Sequence, residues 1–175
     1  TSACQAYIIL SVDKLKVFIC DDSATVRERL VTMALDLPEM DVVGQADDAP
    51  GCVDAINQTC PDVVILDIRM PGGNGIDVLR QLKEVSPAPK VIMLTNFAYV
   101  QYRAKCEEAG ADYFFDKSTE FDQVPAALEH MLLGLRAVPA QTPDPLIPES
   151  KPKLVSCREV DRTPARDAGG STDPS

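Results

Sequence analysis

Residues 63–75 read VVILDIRMPGGNG, an apolar run that ends at Asp67 and passes directly into a loop rich in proline and glycine. Four consecutive apolar residues are typical of a parallel strand that is buried on both faces. The loop and the helical pattern after it place Asp67 at the carboxyl end of this strand, in the crevice where open α/β sheets bind ligands. Asp67 is therefore the first candidate for a chemical role.

Apolar runs and helical patterns alternate on both sides of this stretch. The predicted strands cover residues 16–20, 41–46, 63–66, 90–95 and 113–115. The predicted helices cover residues 24–37, 48–58, 75–85, 99–109 and 123–136. We expect Ser23 and Asp122 to cap the first and last helices and Gly110 to close the fourth in a left-handed conformation. Strict alternation predicts an α/β fold with a five-stranded parallel sheet and helices on both faces.

Length and charge restrict the class of protein. A chain of 175 residues that is 45% hydrophobic can fill one medium core and carry a tail. The net charge of −10 argues against a nucleic-acid binder, which would concentrate Lys and Arg on one face. We expect three segments: an N-terminal extension or cloning remnant at 1–14, one folded domain at 15–136, and a Pro-rich disordered tail at 137–175.

Six cysteines are spaced widely and irregularly, with no C-x-x-C pair and a single histidine in the chain. This pattern fits neither a zinc site nor the disulfide framework of a secreted protein. Cys20, in a strand pattern, and Cys106, in a helical one, are interpreted as small hydrophobic residues. No stretch reaches transmembrane length, so we expect a protein of the reducing cytoplasm without a membrane partner.

Polar side chains follow four of the five predicted strands, and parallel strands bring such ends to one edge of the sheet. They are Asp21 and Asp22, Asp67, Thr95 and Lys117. Singly, Asp22 could assist helix capping, Thr95 could end a strand, and Lys117 could be a solvated loop charge. As a set, three acids, a hydroxyl and an amine at one edge predict a functional site.

Three neighbouring carboxylates repel one another unless a cation lies among them, and hard oxygen ligands in an open site favour Mg²⁺. Mg²⁺ usually binds one or two carboxylates together with a phosphate oxygen. A carboxylate can itself be the nucleophile and form an aspartyl phosphate. Lys117 and the Thr95 hydroxyl would then compensate charge on the phosphoryl oxygens. These residues predict phosphoryl transfer onto the protein itself.

The order and spacing of these residues resemble the receiver domains of bacterial two-component response regulators, in particular the stand-alone chemotaxis type. The resemblance covers residues 15–136. It rests on the pair Asp21-Asp22, the segment Asp67-x-x-Met70-Pro71-x-x-x-Gly75, the strand end Leu94-Thr95, and Lys117. It implies a flavodoxin-like, doubly wound (βα)5 fold with strand order 2-1-3-4-5 and the site at its switch point.

The resemblance also implies individual roles. Asp67 would accept phosphate from a histidine kinase or a His-containing phosphotransfer protein. The implied ligands of the metal are Asp21, Asp22, Asp67 and the backbone carbonyl of Arg69. Thr95 would be the switch hydroxyl and Phe114 the switch aromatic, although Phe114 also fits a simple core ring. Phosphorylation would reshape the face made by the fourth helix, fifth strand and fifth helix.

Several positions depart from the family pattern. Asn96 stands where the family usually has Ala or Gly, which predicts narrower access for the phosphodonor. Ser118 stands where a proline, often in cis, is common. Arg69 and Phe97, two residues after Asp67 and Thr95, are bulky. We hypothesise that these two side chains shield the acyl phosphate from water and lengthen its lifetime.

We therefore expect a stand-alone receiver that acts through a partner. Its partners would be a kinase or phosphotransfer donor and a downstream protein target at the switch face. The resemblance to the family also implies that two copies of the chain could form a homodimer through that face. No helix-turn-helix pattern follows residue 136, so we expect no direct contact with nucleic acid.

Two alternatives remain. One is a pseudo-receiver that binds partners without phosphorylation. The other is an Asp-nucleophile phosphatase, which usually needs a second acid two residues after the nucleophile, where this chain has Arg69. We therefore expect no enzymatic activity beyond self-phosphorylation and autodephosphorylation at Asp67.

Overall fold

A computed structural model describes residues 14–137 of the chain, with side chains to residue 134. The predicted N-terminal extension and the predicted disordered tail lie outside the described residues, apart from their innermost positions. Among the described residues, no helix combines the length and the apolar character needed to cross a membrane.

Five parallel strands form one sheet in the order β2-β1-β3-β4-β5. They are Leu15–Cys20 (β1), Met40–Ala46 (β2), Val63–Leu66 (β3), Lys90–Thr95 (β4) and Tyr113–Asp116 (β5). The predicted fold class and strand order are therefore confirmed. The two central runs, 63–66 and 90–95, were predicted to the residue, because continuous apolar sequence between breakers defines a buried strand.

Five helices connect the strands. They are Ala24–Leu35 (α1), Ala49–Thr59 (α2), Gly75–Glu84 (α3), Val100–Glu108 (α4) and Val124–Ala137 (α5). Ser23 caps α1 by accepting a hydrogen bond from the Val26 N–H, and Gly110 has φ +93° after α4, both as predicted. The prediction for Asp122 is wrong: it lies inside a 3-10 turn at Phe121–Gln123 that precedes α5.

The side chains of each inner strand alternate between two apolar layers, because successive residues of a strand point to opposite faces. In β1, Phe18 and Cys20 enter the layer beneath α2, α3 and α4. Val17 and Ile19 enter the layer beneath α1 and α5. Both faces of the sheet are thus covered, and the polar strand ends are left at its carboxyl edge.

Cys20 and Cys52 form a disulfide bond between the end of β1 and the first turns of α2. The interpretation of Cys20 as a small hydrophobic residue without a bond is therefore wrong. The parallel crossover lays α2 against β1 and brings the two Cα atoms to 6.1 Å, a normal disulfide span, across 32 residues of sequence. Cys106 is a buried thiol, as predicted.

A hairpin that the sequence did not predict follows Asp67. Arg69–Met70 pairs with Gly73–Asn74 in antiparallel fashion, and the Asn74 side chain accepts a hydrogen bond from the Ile76 N–H to cap α3. The hairpin strands have two residues each, too short for any periodic pattern.

Asp112 connects the amino-terminal ends of the last two strands. Its carboxylate accepts hydrogen bonds from Lys83 Nζ at 2.8 Å, Lys90 Nζ at 2.9 Å and the Val91 N–H at 2.9 Å. Burial alone would raise the pKa of the Asp112 carboxyl, but these hydrogen bonds outweigh burial and hold its pKa below the usual value.

Asp112→Asn is expected to lower the free energy of unfolding at pH 7 by about 2 kcal/mol, because charge-assisted hydrogen bonds are lost. The unfolded chain binds the proton more tightly than the folded chain. The carboxylate therefore contributes stability above about pH 4, and this contribution is lost as the pH falls through the lower folded-state pKa. Urea unfolding of both proteins from pH 7 to pH 3 would show the difference shrinking.

The control is Asp77→Asn, which removes an exposed ion pair with Arg80. It should cost less than about 1 kcal/mol. If the free energies of unfolding of wild type and Asp112→Asn differ by the same amount from pH 7 to pH 3, the stabilising role assigned to the ionised Asp112 carboxylate is contradicted.

Candidate functional site

The carboxyl edge of the sheet brings Asp21, Asp67, Thr95 and Lys117 together. Asp21 follows β1, Asp67 follows β3, Thr95 ends β4 and Lys117 follows β5. The three side chains of Asp21, Asp67 and Thr95 are the buried polar side chains of the described chain. The four strand ends that the sequence singled out therefore lie at one edge of the sheet.

Lys117 bridges the two buried carboxylates. Its Nζ lies 2.6 Å from Asp21 Oδ2 and 2.6 Å from Asp67 Oδ2, and its side chain is 6% exposed. Burial would lower the pKa of Lys117, but the hydrogen bonds to both carboxylates outweigh burial and raise it. The amine is therefore a fixed positive charge within the pocket, not a solvated loop charge.

Asp21 is held from three sides. Its Oδ1 accepts the Ser23 N–H at 3.0 Å, and its backbone carbonyl accepts Arg27 Nη1 of α1 at 2.6 Å. Burial raises the pKa of the Asp21 carboxyl, with the Asp67 charge adding to this effect, and the hydrogen bond from Lys117 offsets it only in part. Such a carboxylate gains from any further positive charge brought near it.

Asp21, Asp22 and Asp67 can each direct a carboxylate oxygen into one small volume, with these oxygens within 4.8 Å of one another. Asp22 is exposed and the other two are buried. Two buried carboxylates beside one exposed carboxylate fit Mg²⁺, which binds a few protein oxygens and retains several waters. The donor set on this edge therefore fits the predicted cation.

Arg69 and Phe97 cover the rim beside Asp67. The Arg69 guanidinium carbon lies 4.4 Å from the centre of the Phe97 ring, a cation–π contact between the two loops. The Arg69 N–H points toward Asp67 Oδ1 at 3.4 Å. The two bulky residues singled out in the sequence are thus in contact with each other next to the candidate nucleophile.

Thr95 is fully buried, and its Oγ1 accepts the Phe97 N–H at 3.2 Å. The hydroxyl proton remains available for an acceptor, because this hydrogen bond uses an oxygen lone pair. The Thr95 carbonyl also accepts the Lys117 N–H at 3.0 Å. Thr95 therefore couples the loop after β4 to the loop after β5.

Phe114 is buried beneath Arg103 of α4. The Arg103 guanidinium carbon lies 4.6 Å from the ring centre, and Arg103 Nη1 donates to the Phe114 carbonyl at 3.2 Å. Arg103 Nη2 also lies 3.3 Å from Glu120 Oε2, which accepts the Asp116 N–H. The aromatic ring is therefore clamped between its strand and α4.

Sequence reasoning missed Arg27 and Arg103. Arg27 lies one turn into α1, where the spacing from Asp21 could have suggested a return contact to the strand end. Arg103 offered no such signal, because its partners Phe114 and Glu120 are brought to it by the packing of α4 on β5.

The structure shows the surroundings of two residues that depart from the family pattern, Ser118 and Asn96. Ser118 donates its backbone N–H to Asp116 Oδ1 at 2.7 Å, a hydrogen bond that proline could not make. Asn96 is exposed at the rim, next to the buried Thr95.

Fold and site together define a doubly wound α/β protein with a pocket of carboxylates, a lysine and a threonine at its switch point. The family model described as "Response regulator receiver domain" matches residues 17–129. The chain belongs to the response regulator receiver domain family.

Relatives and solved structures agree with this assignment. The chain is 30% identical over 127 residues to the response regulator GacA of Pseudomonas aeruginosa, covering 73% of this chain and 59% of that protein. It is 36% identical over 123 residues to protein-glutamate methylesterase/protein-glutamine glutaminase 1 of Carboxydothermus hydrogenoformans, covering 69% and 36%. The match thus spans 59% of the length of the first relative and 36% of the length of the second.

Among solved structures, the response regulator domain of Thermotoga maritima CheB matches with a TM-score of 0.62 and 31% identity. The match covers 72% of this chain and 99% of that domain. The shared part is therefore the receiver fold itself.

Gly75 allows the chain to pass close to Asp67. A Cβ at this position would overlap the Asp67 carbonyl oxygen and lie 3.1 Å from Ile68 Cα. Gly75→Ala is expected to lower the free energy of unfolding by about 2 to 3 kcal/mol, since backbone would have to move in a packed region. Urea unfolding would measure the loss.

Gly134→Ala is the matched control, because a Cβ there meets nothing within 4 Å. In α5 it should stabilise the protein by about 0.5 to 1 kcal/mol, the usual gain of Ala over Gly in a helix. Equal effects at the two glycines would contradict the role assigned to Gly75.

Proposed function

We propose that this chain is the phosphoacceptor of a two-component phosphorelay and that phosphorylation of Asp67 switches a partner-binding face. The observation that carries this proposal is the bridging of Asp21 and Asp67 by Lys117 at the carboxyl edge of the sheet. The donor would be a phosphohistidine of a kinase or of a phosphotransfer protein. Attack by an Asp67 oxygen forms the new O–P bond and breaks the N–P bond of the donor.

Each residue of the pocket has a task in this transfer. Asp67 is the nucleophile, and it is ready to attack only as the ionised carboxylate. Lys117 stays protonated and can move from the carboxylates to a phosphoryl oxygen, while Thr95 Oγ–H donates to another. Asp21, Asp22, Asp67 and the Arg69 carbonyl would hold the cation. A bound Mg²⁺ supplies positive charge that compensates the carboxylates and the incoming phosphoryl oxygens.

The switch proposed here runs from Thr95 to Phe114. Movement of the Thr95 side chain toward a phosphoryl group would release the Phe97 N–H and disturb the loop that leads into α4. Arg103 in α4 is held on the Phe114 ring and on Glu120, so α4 and β5 would respond together. We propose that this coupling transmits the phosphorylation state.

The face made by α4, β5 and α5 is the proposed docking surface for a target protein. It contains a groove of about 610 Å³ whose lining includes Arg103, Phe114 and Gln123. At the start of α4, Tyr99 and Val100 are exposed large apolar residues, with Val100 86% exposed. Exposed apolar side chains beside a charged groove suit a protein partner.

The first test is the intact mass of the protein after incubation with Mg²⁺ and acetyl phosphate. One phosphoryl group should be added, and none should be added to Asp67→Asn or without the metal. Asp77→Asn, an exposed carboxylate outside the pocket, should be phosphorylated like wild type. If neither acetyl phosphate nor a histidine kinase yields an adduct, the chain is a phosphorylation-independent binding module instead.

The contact between Arg69 and Phe97 is proposed to lengthen the lifetime of the acyl phosphate by restricting the approach of water. Arg69→Ala and Phe97→Ala should each lose the phosphoryl group about two- to fivefold faster, because an exposed cation–π contact is worth about 0.5 to 1 kcal/mol. Mass measurements at intervals after donor removal give the rate. Arg80→Ala, at an exposed arginine of α3, should decay like wild type, and an unchanged rate in all three variants would refute this role.

A further inference from the structure

Cys20 and Cys52 occupy a position that the phosphotransfer mechanism does not use. Cys20 is the last residue of β1 and directly precedes Asp21, and Cys52 lies in α2. Both are buried, with 1% and 0% of their surfaces exposed. The Cys20 carbonyl accepts the Asp67 N–H at 2.9 Å. Cys20 is thus hydrogen-bonded to Asp67, the proposed nucleophile, and is the chain neighbour of Asp21, a proposed ligand of the cation.

The helix that carries Cys52 supports the other side of the pocket. The Ala49 N–H, in the first turn of α2, donates to the Pro71 carbonyl at 3.0 Å. A Cβ on Gly73 would lie 2.8 Å from the Ala49 Cβ, so helix and hairpin are in close contact. This hairpin contains Arg69, whose carbonyl is a proposed ligand of the cation. The position of α2 therefore bears on the metal site through the hairpin.

We propose that Cys20 and Cys52 are a redox-regulated pair that controls the Mg²⁺-binding and phosphoacceptor pocket. This inference rests on the proposed function and adds a second input to the same site. The disulfide joins the two supports of the pocket, the end of β1 and the start of α2. Two separate thiols need more room than bonded sulfurs, and in a close-packed interior a shift of α2 would supply that room. Such a shift would displace the hairpin, which α2 contacts through Ala49.

A peroxide is the class of oxidant that suits this buried pair, because it is small. One thiolate attacks a peroxide oxygen, the O–O bond breaks, and a sulfenic acid forms as water leaves. The second thiolate attacks that sulfur, the S–S bond forms, and the sulfenic oxygen leaves as a second water after protonation. The two thiols lose two electrons and two protons, which the peroxide takes up. A small dithiol reverses the reaction by exchange.

Cys106 makes a useful contrast within the same chain. It is fully buried and not disulfide-bonded, and burial raises the pKa of its thiol to about 11. The difference lies in the partner, because all three cysteines are buried but only Cys20 and Cys52 are joined to each other. In a reducing compartment, disulfides that do form are usually transient and redox-sensing, which is the behaviour inferred here.

The test compares the full chain after treatment with hydrogen peroxide and after treatment with a dithiol. Intact mass and thiol counting establish the bond in each sample. Calorimetric titration with Mg²⁺ then gives the metal affinity, and the mass assay with acetyl phosphate gives the rate at Asp67. The oxidised form should bind Mg²⁺ more tightly and be phosphorylated faster, each by at least about fivefold, the lower end of usual couplings between sites.

Variants assign the effect to this pair. Cys52→Ala and Cys20→Ala should each give the same affinity and rate after both treatments, with circular dichroism confirming that they fold. Cys60→Ser changes a thiol at the other end of α2, outside the disulfide, and should respond like wild type.

The outcomes separate this inference from the proposed function. Equal Mg²⁺ affinity and equal phosphorylation in oxidised and reduced wild type would overturn the redox inference and leave the phosphoacceptor role standing. A redox response that persists in Cys52→Ala would also overturn it. Absence of an adduct in both forms with acetyl phosphate and with a histidine kinase, while the Mg²⁺ affinity still changes, would support the redox-controlled metal pocket and overturn the phosphoacceptor role.

Discussion

The bridge from Lys117 to Asp21 and Asp67 is the interaction on which the site depends. Two buried carboxylates from different strands can lie side by side only if positive charge compensates their repulsion, and Lys117 supplies it within the protein. The three residues follow β1, β3 and β5, so the bridge exists only when all these strands are parallel and in register. Fold and site therefore depend on each other. The strand topology brings the two carboxylates together, and the positive charge of Lys117 compensates the repulsion between them.

Sequence alone predicted the sheet well because its central strands are buried on both faces. Runs such as 63–66 and 90–95 have no polar residue within their interior and are bounded by breakers, so their limits are unambiguous. The site followed from the topology, since polar residues after consecutive parallel strands must meet at one edge. Helix ends were less predictable: α1 stops at Leu35, before Pro38, and Asp122 lies in a 3-10 turn because Phe121 turns into the core.

Two of the features that sequence reasoning missed, the disulfide and the contacts of Arg103, depend on segments far apart in the sequence. Cys20 and Cys52 are 32 residues apart, and each alone fits an apolar pattern, so nothing local distinguishes a bonded pair from two small hydrophobic residues. Arg103 reaches Phe114 and Glu120 only through the packing of α4 on β5. The hairpin after Asp67 is too short for any periodicity, yet it carries the backbone carbonyl that completes the proposed metal site. Local sequence patterns therefore predicted the strands and helices, but they did not predict the disulfide, the contacts of Arg103 or the hairpin.

Two of these features, the hairpin and the disulfide, are linked to the position of Arg69. Its backbone is held in the hairpin that rests on α2, and through α2 it is linked to the disulfide and to Cys20. Its side chain extends the other way and lies over Phe97, beside the loop that Thr95 organises. Under the proposed function, the Arg69 carbonyl would be a ligand of the cation and the Arg69 guanidinium would restrict water. A shift of α2 would act through the carbonyl and change how well the site holds a cation. A change at Phe97 would act through the guanidinium and alter how well the site excludes water, with the carbonyl left in place. Because the two effects would use different bonds, the rate of phosphorylation and the lifetime of the phosphoryl group could be tuned independently.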